Sequence, residues 1–233
     1  MATDQVRGIV LQMQDNAPPG LLGDWARDRG IALDVARIQD GVPPVPDTDE
    51  HAFAVVLGSG ASLAADQPEW APDVLRWLRE VDARALPVLG ICFGAQAIAA
   101  ALGGRVFRMP RRELGWIEVE TVDAERVPSG PWMAWHEDGL TPPPLAYELA
   151  RNDTGVQAFC LRRHLGVQFH PEVTPEIVHG WATTPRARLA EVGLTLEALM
   201  ERTEELASGA AERAAQLFDG FAARAGVAAR VGS

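Results

Sequence analysis

Apolar and polar positions fall into short alternating blocks over the first hundred residues. Runs at 7–12 (RGIVLQ) and 31–36 (IALDVA) predict strands, with a helix over 21–29 between them. The stretch GVPPVPDTDE at 41–50 predicts a loop, because proline cannot donate to a sheet ladder. AFAVVL at 52–57 predicts a buried strand ending in the loop GSGAS at 58–62. Asp66 followed by Glu69 has capping-box spacing, with Pro68 in the first turn of the helix it would open. That helix would carry Trp70, Val74, Trp77, Leu78 and Val81 on one face. A fourth strand is predicted at 87–91, then an alanine-rich helix at 93–102 stopped by Gly103 and Gly104. Strands alternating with helices imply an α/β fold, a mostly parallel sheet flanked by helices.

After residue 104 the pattern changes. Strand-like pieces at 104–108, 116–122, 145–150, 156–162 and 165–169 follow one another without helices, predicting an antiparallel extension of the sheet. Thr174-Pro175-Glu176 and Thr184-Pro185 each read as an N-cap with proline at the first helical position. The tail over 195–224 predicts a helix, with Leu196, Leu199, Met200, Leu206, Ala210, Ala214, Leu217 and Phe221 near a three-to-four spacing. The expected organisation is one α/β domain over 1–183 and a helical extension over 184–233 packed upon it. No internal repeat is visible.

Composition narrows the chemistry. All 21 basic residues among the 233 are arginine, against 32 acidic ones, for a net charge of −11. Without lysine there is no phosphate-loop lysine, no Schiff-base lysine and no lysine general base. The acidic balance argues against a nucleic-acid or anionic-membrane footprint. An apolar content of 47% suffices for a sizeable core. The N-terminal residues lack a charged-then-apolar signal pattern and no apolar run would span a bilayer, so a cytoplasmic location is expected. Two cysteines, Cys92 and Cys160, do not make a disulfide framework. Neither a metal nor a cofactor is expected.

The sharpest chemical signal is GICFGAQ at 90–96, a Gly-x-Cys-x-Gly at a predicted strand-to-helix junction. This is the nucleophile-elbow pattern with sulfur in place of a serine oxygen. Glycines on either side leave room for strand and helix to approach, and the helix N-terminus favours a thiolate. A thiolate nucleophile needs a base, and His51, His136, His164, His170 and His179 compete. His170 ends the apolar run LGVQF, where a strand-end side chain reaches the crevice at the sheet's carboxyl edge. Glu172, two residues on, could hold its tautomer and stabilise its cation.

Together, GICFGAQ and LGVQFHPEVT at 165–174 resemble the class I glutamine amidotransferases, over roughly residues 6–182. GSGAS stands where that family has a glycine-rich oxyanion turn. MAWHEDGL at 133–140 resembles the His-x-Asp segment (His136, Asp138) of the glutaminase domain of guanylate synthases, and GVQAF at 155–159 resembles the segment before the family's histidine. The resemblance implies a flavodoxin-like fold and a Cys92–His170–Glu172 triad. It also implies a glutamyl-thioester route, with backbone N–H groups of Ser59 and Phe93 forming the oxyanion hole. Gly58, Gln96, Gly115 and Trp116 would fall at substrate-binding positions.

The chain departs from the family pattern at Ala95, where many relatives carry histidine or methionine, and at Ser59-Gly60, which replace a Gly-Pro. Serine in place of glycine at this turn, beside an unconstrained Gly60, predicts a hole that is not preformed, with low basal activity raised by a partner. Only 61 residues follow Glu172, without an adenylating Ser-Gly-Gly loop, so the expected partner is a separate ammonia-accepting synthase. Two rivals remain. One is a γ-glutamyl hydrolase acting on another amine, with Trp116, Trp132 and Trp135 shaping its pocket. The other is a catalytically idle regulator, against which the intact triad argues.

Overall fold

In the computed structural model, residues 5–44, 49–184 and 187–227 are described. Strands β1 (Arg7–Gln12), β2 (Ala32–Arg37), β3 (Phe53–Val56) and β4 (Val88–Ile91) alternate with helices α1 (Leu21–Asp28), α2 (Ala71–Ala83) and α3 (Phe93–Ala101). Five strands follow: β5 (Arg105–Thr121), β6 (Gly130–Thr141), β7 (Tyr147–Asn152), β8 (Gly155–Leu161) and β9 (His164–Val167). Helices α4 (Pro175–Ala182) and α5 (Leu196–Ala225) close the order. The strands form one mixed sheet in the order β2-β1-β3-β4-β9-β8-β7-β5-β6. Its first five strands pair in parallel and the rest antiparallel; β9, expected within the antiparallel extension, instead pairs in parallel with β4 and antiparallel with β8.

Side-chain alternation along the strands builds two apolar layers. Val10, Phe53, Val55, Leu89 and Ile91 face α1 and α5, where Trp25, Leu217, Phe218 and Phe221 meet them. Ile9, Leu11, Ala54, Val56 and Val88 face α2 and α3, meeting Val74, Trp77, Leu78, Val81 and Ile98. The apolar stripe predicted along the tail is a core face of α5 from Ala214 to Phe221, while Leu196 at its start is exposed. Thr195 caps that helix, its side chain accepting from the Ala198 N–H at 3.1 Å.

Several expectations are corrected. Asp66 and Glu69 form no capping box: α2 starts at Ala71, with Trp70 as its N-cap residue and proline, not a side-chain cap, in its first turn. Pro72 presets the helical backbone there, so the start needs no side-chain acceptor. The pieces at 104–108 and 116–122 are one strand, β5, whose register shifts between Arg108 and Glu113 around Met109-Pro110. Strand β6 was not expected. Thr174 caps α4, but the Thr184 hydroxyl donates back to the Trp181 carbonyl at 2.8 Å, and Pro185 lies outside the described residues. Residues 41–44 form no regular element, and 45–48 also lie outside. Among the described residues, no helix is long and apolar enough to cross a membrane.

Candidate active site

The site forms where β4 and β9 lie side by side. Ile91 pairs with Val167, and the Cys92 N–H continues the ladder to the Val167 carbonyl at 2.8 Å. Cys92 then turns sharply into α3 with φ 51° and ψ −105°, a conformation that costs a non-glycine residue about 1–3 kcal/mol. The glycines two residues either side explain themselves. A Cβ on Gly94 would stand 2.0 Å from the Val56 carbonyl oxygen, and one on Gly90 would stand 2.6 Å from the Gly94 backbone.

His170 enters from the residues after β9, its N–H bonded to the Met133 carbonyl of β6 at 2.8 Å. Its Nδ1 lies 2.7 Å from Glu172 Oε1, and both side chains are almost wholly buried. His170 Nε2 is buried with no hydrogen-bond partner of ordinary geometry, on the side of the ring away from Glu172. Gly58 makes this packing possible: a Cβ there would stand 2.8 Å from His170 Cε1 and 3.7 Å from Cys92 Cβ. Burial opposes an imidazolium at His170. The charges of Glu172 and of the adjoining Cys92, with the hydrogen bond to Glu172, outweigh that and raise its pKa to about 10. The Cys92 Sγ also lies 3.9 Å from the Trp135 carbonyl oxygen.

Beside the cluster lies a pocket of about 230 Å³, bordered by Gln14, Asn16, the 58–60 turn, Trp135, His170 and Trp181. It falls below the range typical for drug-sized ligands and matches a single amino acid more closely. Trp181 of α4 meets the His170 ring edge to face, centroids 4.8 Å apart, and donates from its indole to the Asn16 carbonyl at 2.7 Å. Gly60 donates its N–H to Gln14 Oε1 at 2.7 Å, and the Ser59 hydroxyl accepts from the Ala61 N–H at 3.1 Å. Neither Ser59 nor Gly60 has a positive φ.

The other predicted residues separate. Phe93 opens α3 beside Cys92. Gln96 lies one turn further on, buried away from the pocket. Gly115 adopts φ +97° beneath Leu194, and Trp116 donates to Thr203 Oγ1 of α5 at 3.0 Å, so neither borders this pocket. Trp132 stacks on Phe169 in the core. Of the remaining histidines, His51 pairs with Asp34, His136 with Glu113 and His164 with Asp82, while His179 sits on the outer face of α4. Trp181 and the amide-bearing Gln14 and Asn16 were not anticipated. Trp181 reads in sequence as an ordinary inward position three residues after Val178, and nothing in its spacing marks a pocket. Among the described residues, no three histidine, cysteine, aspartate or glutamate side chains gather as a metal set.

Comparison with known proteins gives the family and the fold this chain is similar to. The family model described as glutamine amidotransferase class-I matches residues 25–179. The chain is 40% identical over 126 residues to the glutamine-hydrolysing GMP synthase of Thermomicrobium roseum, covering 51% of this chain and 23% of that protein. It is 34% identical over 182 residues to the corresponding enzyme of Phenylobacterium zucineum, covering 72% and 32%. The match thus spans about a quarter to a third of those relatives. A crystal structure of a glutamine amidotransferase from Methylobacillus flagellatus superposes with a TM-score of 0.83 at 22% identity, covering 96% of each chain.

Proposed function

The chain belongs to the class I glutamine amidotransferases, and on that premise we propose that it hydrolyses the side-chain amide of glutamine through a thioester on Cys92. The ammonia released passes to a separate synthase in the cytoplasm. One observation carries this reading: the imidazole of His170, held by the buried Glu172 carboxylate and packed beside the strained elbow Cys92, borders an amino-acid-sized pocket.

The chemistry follows from the proton positions. With its pKa raised to about 10, His170 is an imidazolium at neutral pH, suited to pairing with a Cys92 thiolate. The thiolate attacks the amide carbon of glutamine, and His170 gives its proton to the departing nitrogen, leaving a glutamyl thioester, ammonia and a neutral imidazole. That imidazole then takes a proton from water as the oxygen attacks the thioester. Collapse of the second tetrahedral species releases glutamate and restores the thiolate–imidazolium pair. Backbone N–H groups of Phe93 and Ser59 are the donors for both oxyanions, each worth about 2.7–4 kcal/mol at the transition state. Glu172 holds the imidazole through Nδ1 and keeps Nε2 turned to the reacting atoms.

The purified protein is expected to release ammonia and glutamate from glutamine in equal amounts, and Cys92→Ala to release neither. Acid quenching followed by mass spectrometry should find the glutamyl adduct on the Cys92 peptide. Inert glutamine with no adduct would sink the proposal. A γ-glutamyl hydrolase acting on an apolar amine is the second reading, favoured by the two indoles, Trp135 and Trp181, on the pocket wall. It wins if glutamine is left intact while a γ-glutamyl arylamine is cleaved.

A further inference from the structure

We propose that Gln14 is a positioning residue whose side-chain carbonyl fixes the turn after β3 and so aims the Ser59 N–H at the reacting atoms, a reading that rests on the roles proposed above for Cys92 and Ser59. Gln14 follows β1, and the 58–60 turn follows β3, the strand beside it. Between the two, the Gly60 N–H donates to Gln14 Oε1 at 2.7 Å. The Ser59 hydroxyl accepts from the Ala61 N–H at 3.1 Å. Two of the three N–H groups at 59–61 are thus held by side chains, and among the described residues only the Ser59 N–H has no acceptor. A peptide unit is planar, so holding the Gly60 N–H fixes the Ser59 carbonyl with it. On the other side of the turn, the Leu57 N–H is tied to the Leu11 carbonyl at 3.0 Å. The Gly58–Ser59 peptide, which carries the donor, is therefore held from both ends.

Gln14 is itself held in place. Its Nε2 donates to Asn16 Oδ1 at 2.7 Å, which leaves Oε1 facing Gly60. Its main-chain carbonyl accepts from Gln12 Nε2 at 3.0 Å and from the Ala17 N–H at 3.2 Å. Gln12 is buried and also reaches the Asp15 carbonyl at 3.3 Å, so the loop after β1 is braced from within. Asn16 carries the brace to the opposite wall of the pocket. Its carbonyl accepts from the indole of Trp181, the ring that meets His170 edge to face. The loop over 14–17 thus joins the oxyanion turn on one side to the His170 wall on the other. What the turn requires of position 14 is an acceptor: a carboxamide or carboxylate oxygen can take the Gly60 N–H, and an alkyl side chain cannot.

The test compares the parent protein with Gln14→Leu and Gln14→Glu in steady-state hydrolysis of glutamine, or of a γ-glutamyl arylamine where glutamine is left intact. Loss of this one hydrogen bond should lower kcat about five- to tenfold in Gln14→Leu, with KM within about twofold. Gln14→Glu keeps an acceptor oxygen and should stand about threefold or more above Gln14→Leu. Alkylation of Cys92 by iodoacetamide passes through no oxyanion, so its rate in Gln14→Leu should stay within about twofold of the parent. Amide exchange at Gly60, followed by NMR, should quicken about fivefold or more in Gln14→Leu but not in Gln14→Glu, whether or not either substrate turns over. A raised KM at constant kcat would make Gln14 a substrate contact and overturn the proposal. So would kcat within about twofold of the parent, alkylation that slows along with kcat, or unchanged exchange at Gly60. If Gln14→Leu does not fold, Gln14→Ala takes its place with the same outcomes. Turnover by Cys92→Ala would strike at the underlying mechanism and leave the Gly60 exchange result standing.

Discussion

At the scale of single residues, the site is built by atoms that are missing as much as by those present. Gly58 lies under the His170 ring, and a methyl group there would overlap Cε1. Gly58→Ala should therefore displace the imidazole and lower kcat/KM on the order of a hundredfold. The melting temperature should change far less, since only a pocket wall moves; kinetics and calorimetry on the one variant would check both. The protonation of His170 gives a second expectation. Folding raises its pKa from 6.5 to about 10, so between those values the native chain holds a proton that the unfolded chain has lost. The stabilisation is whole below about pH 6.5, declines as pH rises, and is gone above about pH 10. Urea unfolding across that window should show this decline, and His170→Gln should remove it. Turnover should fail over the upper end of the same range, as the proton for the leaving nitrogen is lost.

At the scale of elements, a buried carboxylate organises the antiparallel half of the sheet. Glu113 of β5 accepts from Asn152 Nδ2 at 2.6 Å, Gln157 Nε2 at 2.9 Å and Thr154 Oγ1 at 3.2 Å, and its other contact is His136 Nε2 at 2.9 Å. Burial works against its charge, but the hydrogen bond and charge of His136, with Asn152 and Gln157, hold its pKa below the ordinary value. Glu113→Ala would strand these groups in the interior and should cost about 3 kcal/mol or more, measurable by chemical denaturation. None of this was readable from the chain, because the partners stand 23 to 44 residues from Glu113. Strand β6 was hidden for a related reason: GPWMAWHEDGLT buries His136 and Asp138 through distant partners, so polar letters occupy core positions. Strand β5 was divided for a different reason: Pro110 and Arg111 sit at solvent-facing positions where its register shifts. By contrast, β3 and β4 carry apolar runs buried on both faces, and their elements were legible from sequence. Cys92, His170 and Glu172 were legible because local motifs at strand ends placed them. Trp181 was not, since its contact with His170 depends on how α4 folds back.

At the scale of the whole molecule, the position of α5 decides how far the extension over 184–233 can be treated as separable. Leu217 and Phe218 are fully buried and Phe221 nearly so, in the same apolar cluster as Val10, Phe53 and Val55 of the central strands. Phe221 meets Phe53 edge to face, centroids 5.9 Å apart, and Phe218 meets Trp25 of α1 at 5.7 Å. Trp25 is tied to α5 again through its indole, which donates to Asp219 at 2.9 Å. The helix therefore shares with α1 the apolar layer on this face of the parallel sheet, and supplies Leu217, Phe218 and Phe221 to it. Truncation to about half of its aromatic content shows the scale: Phe218→Ala alone should cost about 3–5 kcal/mol, a large fraction of a single domain's stability. Removing residues 195–233 should then yield a chain that fails to fold, losing glutamine hydrolysis and its cooperative melting transition together. A truncated protein that melts cooperatively and still turns over glutamine would show instead that α5 is a detachable surface, open to a partner, and that the α/β layers are stable without it.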